Sequence, residues 1–196
     1  MRSHSSPLFR LVSAGLALLL LSACGGGGEQ AVCTQQFWNG RVGICLPDGW
    51  TVMERERLDQ QGIPRDVLAA FQVEKPVSGQ YPTVVITEEP LAQPMDTDTY
   101  SRASMRAVSA LPGYELIDTR PVRIDERESG IHIYTAQPAA DQPKTRFYQV
   151  SAVSSSGTGY TVTAFAPLSV SRSLEGEELA MVQSLTFVDP GEGNEE

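Results

Sequence analysis

Few side chains in this sequence could carry chemistry, and their spacing separates what each could do. Cysteine stands at 24, 33 and 45, and histidine at 4 and 132. Cys24 follows Leu21-Ser22-Ala23 and an apolar run from Leu11, which places it at the end of a leader. Cys33 and Cys45 then remain as an even pair, which in an exported chain predicts a disulfide. His132, in the alternating run Ile131-His132-Ile133-Tyr134, is the one histidine after the apolar leader, and a lone histidine argues against His-based metal sites. As the base of a serine hydrolase it would need a nucleophile elbow of the form G-x-S-x-G, and the chain has none. Ser154-Ser155-Ser156-Gly157 reads as a turn, so His132 is expected as an imidazole on a strand surface.

The carboxylates give no stronger signal. Glu88-Glu89, before Pro90, could approach a cation together with Asp96 and Asp98, but a calcium loop needs alternating ligands and a placed glycine that are missing. Asp125-Glu126-Arg127-Glu128, followed by Ser129-Gly130, reads as a solvated hairpin tip, and Glu54-Arg55-Glu56-Arg57 as a solvated stretch that neutralises itself. No catalytic residue, metal or cofactor is expected.

The elements that would carry these residues begin with an export leader over 1–23. Arg2 and Arg10 supply its positive flank, Leu11 to Leu21 its apolar run, and small residues its cleavage end. The run is too short for a stable membrane span. Leu21-Ser22-Ala23-Cys24 resembles the bacterial lipobox, which implies cleavage before Cys24 and lipidation of its thiol. A single acyl chain anchors only marginally, so the several chains implied by that resemblance would hold the protein at a membrane. Gly25, rather than an aspartate, follows Cys24; the lipobox sorting rule then implies the outer membrane, facing the periplasm, in a bacterium with two membranes. The Gly-rich stretch of 24–31 is a flexible tether.

Removing the leader leaves 13 basic residues against 24 acidic ones, a formal charge of −11. That balance repels phosphate backbones, so nucleic acid is not an expected partner. One domain is expected over 32–188 and an acidic tail over 189–196. Val32 to Trp38 and Arg41 to Leu46 flank Asn39-Gly40 as a hairpin. A two-residue turn would pair Cys33 with Leu46; a three-residue loop, Trp38-Asn39-Gly40, would set the two cysteines opposite each other, and the disulfide is expected to select that register. Phe37, Trp38 and Arg41 then stand near a rigid tip and form the candidate partner-contact cluster.

Helical spacing predicts a short helix over Pro64 to Phe71, a helix from Thr97 to about Leu111 capped by Asp96, and a last amphipathic helix capped by Ser171 or Ser173. The second has Tyr100, Ala103, Ala107, Val108 and Leu111 on one stripe, with Ser101 among the residues opposite. Val84-Val85-Ile86 reads as a buried strand. Strands are also expected over Tyr114 to Ile124, Ile131 to Gln137, Thr145 to Val153 and Tyr160 to Ala166.

The order of motifs carries a resemblance. Ile44-Cys45-Leu46-Pro47-Asp48-Gly49-Trp50 opens the domain, a helix ends at Pro112-Gly113, and Met181 to Phe187 closes the chain with Ser184-Leu185-Thr186-Phe187. Over about residues 42 to 187 this resembles the PsbP-like fold, shared by a photosystem II subunit, a nuclear Ran-binding protein and small envelope lipoproteins such as DcrB. The resemblance implies an α+β fold, a three-layer α/β/α sandwich with an antiparallel sheet, in proteins that bind or help assemble others rather than catalyse. The added hairpin with its cysteine pair departs from that pattern, and nothing maps to photosystem or Ran binding. The leading expectation is a non-enzymatic cell-envelope lipoprotein, held at the membrane through the lipid on Cys24, that binds or helps assemble a membrane-proximal protein complex. A small-ligand or lipid carrier and an enzyme of unrecognised type are the alternatives.

Overall fold

The computed structural model describes residues 33–139 and 142–191. The leader, Cys24, the tether, Val32 and the tail from 192 onward lie outside the described residues. A hairpin of β1 (Gln35–Trp38) and β2 (Gly43–Leu46) comes first, followed by β3 (Trp50–Val52), α1 (Arg55–Gln60), β4 (Val67–Val73) and β5 (Thr83–Pro90). Then come α2 (Thr97–Val108), the long strands β6 (Glu115–Ile124), β7 (Arg127–Ala136), β8 (Thr145–Val153) and β9 (Thr158–Pro167), and α3 (Arg172–Gln183). Strands β3 to β9 form one antiparallel sheet in the order β3-β4-β5-β9-β8-β7-β6. Helix α2 lies on one face across β7 and β8, while α3 and the hairpin cover the other. The architecture is the expected α+β sandwich of three layers.

Side chains alternate across a strand, so the two sheet faces can be read from register alone. Ile131 and Ile133 of β7, Tyr148, Val150 and Ala152 of β8, and Tyr160, Val162 and Ala164 of β9 belong to one core with Ile44, Leu46, Met181 and Val182. Burying a side chain such as Ile131 or Met181 contributes about 1.5–3 kcal/mol, so this face supplies most of the fold's apolar stabilisation. The face beneath α2 has smaller apolar clusters. Met53, Leu58, Val67 and Ala70 gather under α1, and Tyr134, Ala136 and Phe147 lie near the far end of α2.

Both long helices are capped as expected. The Asp96 side chain accepts the Thr99 amide at 2.7 Å, and Ser171 accepts that of Leu174 at 3.2 Å. Other expectations need correction. Pro64 to Phe71 is not a helix, because Val67 to Val73 is strand β4, paired with β3 and β5. Val67, Leu68 and Phe71 fit either period in so short a run, and pairing on both sides decides for the strand. The charged stretch from Glu54 leads into α1 instead: Arg55 pairs with Asp59 at 2.7 Å and donates to the Val67 carbonyl at 2.8 Å, while Leu58 is buried. Asp125 is not simply solvated. Its carboxylate accepts the Thr186 hydroxyl at 2.6 Å and the Phe187 amide at 3.0 Å, tying the segment after α3 to the β6–β7 turn.

Candidate functional site

The hairpin carries the residues singled out for contact, and it pairs in neither expected register. Phe37 lies opposite Ile44, Trp38 opposite Gly43 and Gln36 opposite Cys45. The reason is the Asn39 side chain, which accepts the amides of Arg41 and Val42 at 3.0 Å each and so moves the turn on to Gly40-Arg41, with Gly40 at φ +90°. Cys33 and Cys45 are nonetheless joined in a disulfide, with Cα atoms 5.4 Å apart. The chain leaves the ladder before Gln35, where the Thr34 amide and hydroxyl both donate to the Leu46 carbonyl, at 3.2 and 3.3 Å. Phe37 turns inward and meets Phe71 edge-on, with ring centroids 4.9 Å apart. Trp38 is half-buried and lies over Gly43, where a Cβ would come within 2.9 Å of the ring. Arg41 is exposed and pairs with Glu88 at 2.8 Å. Only Trp38 and Arg41 thus remain at the tip.

A second region, not found from the sequence, lies between α2 and the sheet. Tyr134 donates to Gln149 Oε1 at 2.9 Å, and Gln149 Nε2 donates to Ser104 Oγ at 2.8 Å. Ser151 donates to the same Ser104 oxygen at 3.1 Å and shares a 2.8 Å hydrogen bond with Thr161. Ser104 therefore accepts twice, leaving its own proton for another group. Tyr100 donates to Glu89 Oε2 at 3.3 Å, and burial, together with the Glu89 charge, raises the Tyr100 phenol above its usual range. Gly159 makes room for that ring, since a Cβ there would meet Tyr100 Cζ at 2.5 Å.

His132 sits in this layer rather than on a strand surface. It is buried, and its Nε2 shares a 3.2 Å hydrogen bond with Ser101, which is buried as well rather than on the solvent side of α2. Burial lowers the imidazole pKa, so the ring is neutral at neutral pH. No group meets Nδ1 among the described residues, so the pair lacks the third member that orients a hydrolytic histidine. The carboxylates singled out for a cation are dispersed: Asp96 caps α2, Asp98 pairs with Arg102 at 2.8 Å and Glu88 with Arg41. Among the described residues no three His, Cys, Asp or Glu converge to hold a metal.

Beside the polar layer the sheet opens into a groove of about 670 Å³, between α2 and the start of β4. Thr87, Thr161 and Thr163 are on its lining, with Ala103, Ser104 and Ala107 of α2 along one wall and Asp66, Glu88 and Glu89 among its polar groups. Glu88 lies at the edge of this groove, but its side chain shares the sheet face of Val84 and Ile86, where it holds Arg41, so the hairpin tip stands across the sheet from α2. On the other side of the sheet one polar residue stands apart. Glu178 of α3 is fully buried with no hydrogen-bond partner for either oxygen, and burial, with Glu175 and Glu177 nearby, pushes its carboxyl up to about 8.

An α/β/α sandwich with a groove and a capped helix on one sheet face is a scaffold shared by proteins of several functions. Comparison with solved structures narrows it to the PsbP-like fold. LpqN of Mycobacterium tuberculosis, described as involved in cell envelope biogenesis, matches with a TM-score of 0.59 at 14% identity, over 76% of this chain and 83% of that one. The cyanobacterial PsbP of Synechocystis matches with a TM-score of 0.53 at 13% identity, over 86% of this chain and 99% of its own. At such identities the likeness is one of fold. No family model and no curated protein matches the sequence. No helix among the described residues is long and apolar enough to cross a membrane.

Proposed function

We propose that this chain is a non-enzymatic cell-envelope lipoprotein, anchored through lipid on Cys24, whose PsbP-like domain binds a membrane-proximal protein and helps it assemble. The observation that carries this reading is the hairpin tip: Trp38 and Arg41 stand on a disulfide-strapped hairpin, and Arg41 is fixed by its ion pair with Glu88. A half-exposed tryptophan and an arginine on a rigid support suit a contact surface, because little conformational entropy is lost when they are covered. The envelope role of LpqN agrees with the leader and with the lipobox at Leu21 to Cys24. The long edge strand β6 is less suited to partner pairing. Asp118 accepts the Thr119 amide at 2.8 Å and Pro121 has no amide to offer, features that blunt an edge.

Two substitutions test the two halves of this reading. Cys24→Ser should move the protein from the detergent phase to the aqueous phase in a partition assay, and an unchanged partition would remove the anchor. Trp38→Ala should leave the denaturation midpoint nearly unchanged while reducing crosslinks to a protein neighbour in intact cells. Undiminished crosslinking would place the contact elsewhere.

The groove supports a second reading, that of a small-ligand carrier. Its volume lies within the range of roughly 300–1,000 Å³ that holds drug-sized ligands, and it combines apolar wall with placed hydroxyl groups.

A further inference from the structure

The long strands leave the sheet at two ends, and one of them is apolar. β5 starts at Thr83 opposite Phe165, and β8 starts at Thr145 opposite Ala136 and Pro167, so the turns after β4, β7 and β9 lie side by side there. Between them is a cleft of about 570 Å³ lined by Tyr81, Pro138, Pro143, Pro167, Phe147 and Phe165. Tyr81 is 46% exposed, and Leu168, next to Pro167, is 44% exposed, so large apolar side chains stand in water at the mouth of this cleft. Proline brings no amide, and turns built on it present fewer donors to be desolvated when they are covered.

Charge is balanced at this end although the chain as a whole is acidic. Lys75, Lys144 and Arg172 stand around it against Asp48, Glu74 and Glu115. A neutral end can approach a lipid surface without the repulsion that the rest of the chain would meet at anionic headgroups.

The chain enters the domain at the same end. The disulfide fixes Cys33 to Cys45, the Thr34 amide donates to Leu46, and in the turn that follows Gly49 accepts the Glu74 amide at 2.9 Å, with Asp48 beside Lys75 and Ser171. The hairpin tip points the other way, to Glu88 near the far end of β5. Cys33 follows Cys24 by nine positions, and a chain of that length reaches at most roughly 30 Å. The ten residues of β9 already span roughly 30 Å. A lipid on Cys24 therefore reaches the apolar end readily, and the opposite end only with the intervening chain drawn out.

We propose that this apolar end rests on the lipid bilayer, with Tyr81 and Leu168 inserted at the boundary between headgroups and acyl chains and the hairpin tip directed away from the membrane. A tyrosine suits that boundary, because its ring is apolar and its hydroxyl stays wet. The proposal rests on the reading of Cys24 as lipidated and adds the face that the domain turns to the membrane. Each side chain is already half covered, so its transfer contributes little alone, and the anchor supplies the effective concentration that makes the contact persist.

The lipidated full chain in phosphatidylcholine vesicles, carrying a photocrosslinking amino acid in place of Tyr81, Leu168 or Glu126, tests this. Glu126 is exposed in the β6–β7 turn, at the opposite end. Lipid adducts should form from positions 81 and 168 and not from 126, and should persist at high salt and without anionic lipid. With the photoreactive group at 168, Tyr81→Asp should reduce the adducts severalfold while flotation with the vesicles, held by the anchor, stays unchanged. In chains that float, equal adducts from all three positions, adducts from 126 alone, none from 81 and 168, adducts that require anionic lipid, or indifference to Tyr81→Asp would each overturn the proposal and leave the anchor standing. A chain that does not float with the vesicles would overturn the anchor and this proposal together.

Discussion

The two faces of the central sheet are built on different principles. Beneath α3 and the hairpin, the strands present Ile131, Val150, Val162 and their neighbours to a continuous apolar core. Beneath α2, the intervening residues of the same strands are His132, Gln149, Ser151 and Thr161, joined to Ser101, Ser104 and Tyr100 by hydrogen bonds. The first face gains stability from non-directional burial; the second gains little net free energy and instead fixes where its groups point. Stability is concentrated on one side and directed polar chemistry on the other.

Substitutions of similar size on the two faces should therefore differ most in stability. Phe71→Ala removes a fully buried ring and its contact with Phe37, and chemical denaturation should show a loss of about 3–5 kcal/mol. A loss under about 1 kcal/mol would end the claim that this face holds the fold together.

Glu178 sharpens the comparison, because it is an unpartnered carboxyl on the apolar side. Its folded pKa of about 8 lies above the ordinary 4.5, so the folded chain binds the proton more tightly than the unfolded chain does. Stability is then fully retained below the unfolded value, falls as pH rises from there, and has lost this contribution once pH passes the folded value. Glu178→Gln should flatten that decline and stabilise the protein by roughly 2–4 kcal/mol above the folded pKa, while changing little in acid. A pH series of thermal melts with parallel wild-type and variant curves would contradict the assignment. The smallest effect is expected from Ser104→Ala, at about 1–2 kcal/mol, because it takes one acceptor from both Gln149 and Ser151. A cost equal to that of Phe71→Ala would show the two faces to be energetically alike.

Much of the fold was legible because periods and stop signals agreed. Thr145–Val153 appears as read, α2 starts at its Asp96 cap, and the alternation of Tyr148, Val150 and Ala152 with Gln149 and Ser151 marks the two faces of β8. The polar layer was missed for a physical reason. Polar residues alternating along a strand ordinarily face water, and one strand does not reveal that a helix covers them. The available signal was on the helix: Thr97, Ser101 and Ser104 recur at spacings of four and three, a small polar stripe able to meet the polar strand face. The hairpin register failed because Asn39 was read as a turn residue when its side chain bonds the turn that follows.

The central claim is that contact occurs at the hairpin tip, where the disulfide-strapped strands present Trp38 and Arg41. Photocrosslinking amino acids at Trp38, at Ala107 and at exposed Leu116 of the β6 edge, each in full-length protein in intact cells, test it most directly. The account predicts adducts to a protein neighbour from position 38 and none from 107 or 116. Adducts from 116 alone, or equal yields from all three, would contradict it.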